Sequence, residues 1–207
     1  MSRTRGNVML ASGVALAAVG TALALHQPHH ADAAPVLPHT EVGPAPARVQ
    51  PARSTAKPVR LIIPSIHVDR PLLRLDLTST GQLAAPPLDR AGTPGWYRRS
   101  PTPGNVGPAI IAGHVDSDKG PAVFYNLSVL RPGEKVRVER SDHLTAVFRI
   151  TRVQAFAKKT FPTKQVYGGL KVAGLRLITC SGPYVSSRGG YQDNTVVFAV
   201  LAKLVRT

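Results

Sequence analysis

Apolar residues are arranged in two different ways along this chain. Val8 to Leu25 is an unbroken uncharged stretch made mostly of Ala, Val, Leu and Gly, whereas from Val59 onward the apolar residues come in short runs rich in Val, Ile and Leu. The short runs are Val59 to Ile63, Ala109 to Ala112, Lys135 to Glu139, Ala146 to Phe156, Leu175 to Cys180 and Thr195 to Leu204. Ala146 to Val153 alternates with a period close to two, the mark of a strand with one buried face. Arg131-Pro132-Gly133-Glu134 and Ser141-Asp142-His143 carry turn chemistry, and no segment has a clear ten-residue helical period. The pattern predicts a mostly β fold, an antiparallel barrel or sandwich with short helices only, Pro121 to Leu127 being one candidate.

The long apolar stretch calls for a different reading. Its eighteen residues would span about 27 Å as a helix, close to the roughly 30 Å hydrocarbon core of a bilayer. Arg3 and Arg5 precede it, so the positive-inside rule puts the amino terminus in the cytoplasm and the rest of the chain outside the cell. Residues 1–25 therefore read as a membrane anchor or uncleaved signal, with a cleavable signal peptide processed near Ala31-Asp32-Ala33 as the alternative. Residues 26–58 hold seven prolines, many alanines and almost no large apolar side chains, which suits an extended Pro/Ala-rich spacer. His26, His29, His30 and His39 fall in it at irregular spacing, which suits solvated side chains better than a metal site. Residues 59–207 then form one folded domain of ordinary size.

Composition narrows the classes further. In a chain of 207 residues with a formal charge of +15, an apolar share of 43% is too high for a disordered polycation. The single cysteine excludes a disulfide framework and a zinc site of the Cys-pair type. Within residues 59–207, 21 basic residues face 9 acidic ones. They are dispersed and lack an aromatic RNA-binding strand or a helix-turn-helix pattern, so nucleic acid is not the expected partner. Lipid headgroups and anionic wall polymers are the polyanions such a charge would meet outside a cell.

Three segments carry candidate chemistry. Leu175-Arg176-Leu177-Ile178-Thr179-Cys180 is a buried-looking strand ending on the lone cysteine, either a small buried hydrophobe or a reactive thiol. Ala109-Ile110-Ile111-Ala112-Gly113-His114 runs through glycine into a histidine, either a structural imidazole or a partner for a thiol. A thiol with an ordinary pKa near about 8.5 needs such a partner to become a useful nucleophile. Gly182 to Asn194 reads as a loop before the strand Thr195 to Val200, and Arg188 is its only cation, in a position to meet a developing oxyanion. Asp116 and Asp118 near His114 suit ring orientation, calcium binding or turn formation, and His67 and His143 have no partner motif.

Taken together, these segments resemble a sortase, a membrane-anchored cysteine transpeptidase. Pro94-Gly95-Trp96-Tyr97, Pro108 to Ser117, Gly120-Pro121-Ala122-Val123-Phe124-Tyr125 and Tyr191-Gln192-Asp193-Asn194 are similar to the actinobacterial class F sortases, over about Val59 to Ala202. The resemblance implies a closed eight-stranded sortase-type β-barrel with Cys180, His114 and an arginine at one end, and no cofactor. It further implies secreted proteins with a C-terminal Leu-Pro-x-Thr-Gly type sorting signal as substrates. The thiolate would form a thioester with them, resolved by an amine of peptidoglycan or of another protein. Cys180 is then the nucleophile and His114 the general acid/base, while Thr179 lines the site. Class F relatives read Tyr-Arg-Asp-Asn where this chain has Gln192, so Arg188 is the expected substitute cation, and Gln192 and Trp96 are expected to touch substrate. The competing expectations are a tethered binding module whose barrel has lost catalysis and an L,D-transpeptidase acting on peptidoglycan. The second lacks its local Ser-x-Gly-Cys cluster here.

Overall fold

The computed structural model describes residues 54–207. Within them the period-two positions become strand faces. In Lys135–Arg140 the side chains of Val136, Val138 and Arg140 are buried while Lys135 and Arg137 face water. The strands in chain order are β1 Pro58–Ile63, β2 Val68–Pro71, β3 Leu73–Leu75, β4 Gly95–Tyr97, β5 Gly107–Ala112, β6 Asp116–Ser117, β7 Gly120–Pro121, β8 Lys135–Arg140, β9 Leu144–Ala157, β10 Ala173–Val185 and β11 Gly190–Arg206. One short helix, α1 Thr163–Tyr167, lies in the connection between β9 and β10.

The main sheet has the order β2-β1-β8-β9-β11-β10-β5-β4-β3, and β6 and β7 make a separate two-stranded ribbon. The two ends of that order, β2 and β3, are parts of one bent segment interrupted only at Leu72. The Leu72 amide donates to Val59 on one side and the Leu73 amide to Pro94 on the other. The sheet thus curls round on itself into a nearly closed barrel, and counting the bent segment once leaves eight staves. Six of the eight neighbouring pairs are antiparallel; β10 with β5 and β3 with β4 are parallel.

Leu61, Ile63, Ile111, Phe124, Phe148, Leu175, Leu177 and Val197 fill the interior. A second apolar layer lies on the other face of β5, β10 and β11, where Val166 of α1 packs with Ile110, Ile178, Val196 and Phe198. With both faces covered, β10 is buried at every residue from Ala173 to Thr179, which is why its sequence does not alternate; its one charge, Arg176, is buried with its guanidinium over the Phe198 ring.

The anchor read over residues 1–25 and almost all of the spacer read over 26–58 lie outside the described residues. The last spacer positions are tied to the barrel: Asn105 and Ser54 exchange two hydrogen bonds, and the Lys57 amide donates to the Ser141 hydroxyl. No helix among the described residues is long and apolar enough to cross a membrane. The helix expected over Pro121 to Leu127 is instead a series of turns running into the 3-10 turn Leu127–Val129. The one α-helix among the described residues begins after Pro162 and ends where the Gly168 amide bonds to Lys164; at five residues it is too short to show a helical period.

Candidate active site

The site is built on the parallel pair. Each register couple from Ala173 with Gly107 to Ile178 with Ala112 is separated by 66 positions in sequence. The ladder continues one step past the end of β5, where the Gly113 amide donates to Ile178 at 3.1 Å and the Thr179 hydroxyl donates to the Gly113 carbonyl at 2.9 Å. Cys180 and His114 are the next residues on the two strands and keep the same offset. Neighbouring strands lie about 4.8 Å apart, so these two residues follow adjacent strand ends at one end of the barrel. Gly113 is needed at this step because a Cβ there would come within 2.7 Å of Phe124 and 2.8 Å of Val123.

His114 is held from its far side by the loop between β3 and β4, its Nε2 lying 2.7 Å from the Pro86 carbonyl. A carbonyl oxygen only accepts, so Nε2 carries a proton and Nδ1 is the nitrogen left to take up and release another. Two residues on, the Asp116 carboxylate accepts a hydrogen bond from the Tyr191 hydroxyl of β11. That bond, then burial, then the negative charges of Asp116 and of an ionised Cys180, push the Tyr191 phenol up to about 12. Tyr191 is thus within electrostatic reach of the sulfur, and it packs edge-on against Tyr184 at 5.2 Å between ring centroids.

Cys180 is partly exposed, as a reacting sulfur must be. Thr179, at 5% exposure, turns its hydroxyl to Gly113, so it ties the two strand ends together from below and does not line the opening. Trp96, at 6% exposure, packs in the barrel core, and its neighbour Tyr97 faces the groove instead. The segment expected as a loop after Cys180 is an extension of the β10–β11 hairpin, with Tyr184 opposite Tyr191 and Val185 opposite Gly190. Arg188 therefore stands in the exposed 3-10 turn Ser186–Arg188 at the tip, without a side-chain hydrogen bond or ion pair among the described residues. Val185, where the tip begins, is five residues beyond Cys180, about 16 Å along a strand. Gln192 gives its amide hydrogen to the Gly190 carbonyl of the same hairpin. No three His, Cys, Asp or Glu side chains converge on a common point among the described residues.

Two features were not expected from the sequence. The Lys158 ammonium, from the 3-10 turn Lys158–Thr160 after β9, donates to the Cys180 sulfur at 3.6 Å. Beside it lies a groove of about 720 Å³ whose lining includes Leu83, Tyr97, Lys158, Phe161, Tyr167 and Asn194. Asn194 is the register partner of Cys180 on β11 and Lys158 touches its sulfur, so the groove is adjacent to Cys180, which is not itself among its lining residues.

A partly exposed thiol and an imidazole bonded through Nε2 to a carbonyl, following adjacent parallel strand ends beside a groove, fit a β-barrel enzyme of thiol acyl transfer. Residues 61–202 match the family described as Sortase domain. The chain belongs to the sortase family and is a cysteine transpeptidase. Its fold is similar to that of SrtA sortase from Actinomyces oris, at 18% identity and a TM-score of 0.55 over 75% of this chain and 89% of that one. Sortase A of Listeria monocytogenes is similar at 17% identity and 0.53, over 73% and 91% of the two chains. The sortase D5 transpeptidase of Clostridium perfringens is similar at 20% and 0.51, over 71% and 79%. A search of curated proteins gives no match.

Proposed function

We propose that this sortase is a membrane-tethered, extracellular enzyme of the class F, actinobacterial type. It cleaves a Leu-Pro-x-Thr-Gly type sorting signal and passes the acyl group to an amine of peptidoglycan or of a protein. The observation that supports the site assignment is the 66-residue offset that runs along β5 and β10 to Ala112 and Ile178, with His114 and Cys180 each two residues further on. The motifs around Trp96, His114, Phe124 and Asp193 support the class, and the uncharged stretch before a Pro/Ala-rich spacer supports the tether.

In this reading the Cys180 thiolate attacks the threonine carbonyl carbon, forming an S–C bond. The C–N bond to the following glycine breaks as His114 hands that amine a proton. The incoming amine reverses the order: His114 takes its proton, a new C–N bond forms, and the thiol is restored. The groove at Asn194 and Tyr97 suits the apolar leucine and proline of the signal. Arg188 is the arginine this reading assigns to the acyl oxygen, from its place at the hairpin tip.

The test is intact mass spectrometry of the full chain incubated with Leu-Pro-type peptides. An acyl adduct on Cys180 is expected in wild type and none in Cys180→Ala. His114→Ala is expected to lower turnover by about 10²- to 10⁴-fold. Unchanged turnover in Cys180→Ala sinks the reading. The Gln192 amide, spent on its own hairpin, and the distant Arg188 favour one alternative, a catalytically impaired sortase serving as a scaffold or binding module. A Cys180 inert to thiol reagents would decide for it.

A further inference from the structure

We propose that Lys158 is the active-site cation already in place at the nucleophile, and that its ammonium pairs with the Cys180 thiolate. The inference rests on the transpeptidase reading for its catalytic step and on contact geometry for the rest. Across the sheet, Phe156 of β9, Asn194 of β11 and Cys180 of β10 lie in one row. Lys158 follows Phe156 by two residues and so leaves β9 on the same side. Cys180 is two strands away, about 10 Å at ordinary strand spacing, a gap that a lysine side chain bridges along the open row. Its Nζ ends 3.6 Å from the sulfur.

Nothing on its own connection competes for that charge. From Val153 to Gln192 the chain has no aspartate or glutamate, and the crossover to β10 carries Lys158, Lys159, Lys164 and Lys171. Lys158 is in no ion pair among the described residues. The other charged or titratable groups around the sulfur are accounted for. His114 from the β5 end is bonded to Pro86, and Tyr191 of β11 to Asp116. The Asp193 carboxylate lies against Gly182, where a Cβ would approach it to 2.3 Å. Gln192 is neutral, and Arg188 is at the tip. Among the described residues Lys158 is the one cation in contact with the sulfur.

The chemistry needs a cation at that place twice. Before attack, an ammonium stabilises the thiolate against the thiol. During attack the negative charge passes from sulfur to the carbonyl oxygen as the S–C bond forms, and an ammonium on a four-carbon stem is free to follow it. No proton leaves Lys158 in either step; His114 carries all proton traffic.

Cys180 is the only cysteine of the chain, so alkylation by iodoacetamide reports on it alone. The experiment follows alkylation of the full chain from pH 5 to 9 in wild type, Lys158→Met and Lys158→Arg, with melting temperatures measured alongside. Lys158 is exposed, so both variants are expected to fold. For unit charges 3.6 Å apart in a water-like dielectric, loss of the ammonium makes Cys180 react on the order of sevenfold more slowly on the acidic limb of the profile. Lys158→Arg is expected to stay within about twofold of wild type, since it keeps the charge. Superimposable Lys158→Met and wild-type profiles overturn the inference, even where wild type acylates normally. Because alkylation needs no peptide, absent acylation of wild type overturns the transpeptidase reading whatever the alkylation shows.

Discussion

Replacing Thr179 by valine tests how the site is held together. Valine keeps the shape and the strand preference of threonine and removes only the hydroxyl, which donates to the Gly113 carbonyl at 2.9 Å between two buried residues. Without that donor the carbonyl is a buried acceptor lacking its partner, which costs about 1–3 kcal/mol. For a domain of this size the loss corresponds to a melting temperature lowered by roughly 2–12 °C. The kinetic effect is the sharper one, because Gly113 is the residue before His114 and the lost bond is the last one fixing its strand end to Cys180. A displacement of about 1 Å between catalytic groups costs up to about 10²-fold, so kcat for peptide cleavage is expected to fall tenfold or more with little change in KM. Thr179→Ser keeps the donor and is expected to recover most of kcat, whatever its lost methyl group costs in stability. Thermal melts and peptide kinetics on the three proteins make the comparison. A valine variant with wild-type kcat would show that this bond does not set the geometry of the pair.

Two further predictions concern groups farther from the sulfur. Asp76 receives Arg99, the Leu77 amide and Arg98, and the bond from Arg99, chief among these, lowers its carboxyl from 3.8 to about 2. Because the folded value lies below the ordinary one, its stabilising effect is complete above about pH 4 and disappears toward about pH 2. The melting-temperature gap between wild type and Asp76→Asn, open at pH 7, is therefore expected to close over that interval. Arg188→Ala is expected to reduce kcat/KM for the peptide on the order of a hundredfold by removing an oxyanion partner, with alkylation of Cys180 unchanged. Loss of alkylation would place Arg188 at the sulfur instead.

What could be read from the sequence depended on whether a signal was local. Leu175 to Cys180 reads as a strand because it belongs to a stretch of β10 whose seven residues from Ala173 to Thr179 are all buried, and Ala146 to Val153 reads as one because buried and exposed residues alternate from Phe148 to Thr151, although Ala146 to Phe148 are all buried. The Cys180 and His114 candidates were visible for the same reason, each closing an apolar run. Their adjacency was not visible, because it depends on β5 and β10 being parallel neighbours although 66 positions apart. Gly182 to Asn194 is rich in Ser, Gly and polar residues and has the composition of a loop. Its backbone nevertheless pairs past a bulge at Ser181 and Tyr184, and this carries Arg188 out to the tip. Lys158 gave no signal at all, since a lysine after a strand is ordinary until the order β9-β11-β10 brings it across to the sulfur.

The same contrast divides the labour within the site. Cys180 ends a strand buried through Thr179 and hydrogen-bonded on both sides, to β11 and to β5, so its position follows from the barrel. His114 belongs half to that ladder, through Gly113, and half to the loop from Asp76 to Pro86. That loop is closed by the Ala84 amide on the Asp76 carbonyl and anchored by Arg98 and Arg99. The groove wall is contributed almost wholly by the same loop, at Leu77 and Leu83, and by the crossover from Lys158 to Tyr167. In the proposed mechanism the thiol is therefore fixed by sheet register, while the groove offered to the peptide and the imidazole's outer support share one irregular connection. A peptide that pulls on the Leu77 to Leu83 segment also pulls on Pro86, and through it on the His114 nitrogen whose hydrogen bond fixes the tautomer. In the proposed mechanism, coupling of this kind would let substrate binding tighten His114 as the acid/base partner without moving the thiol.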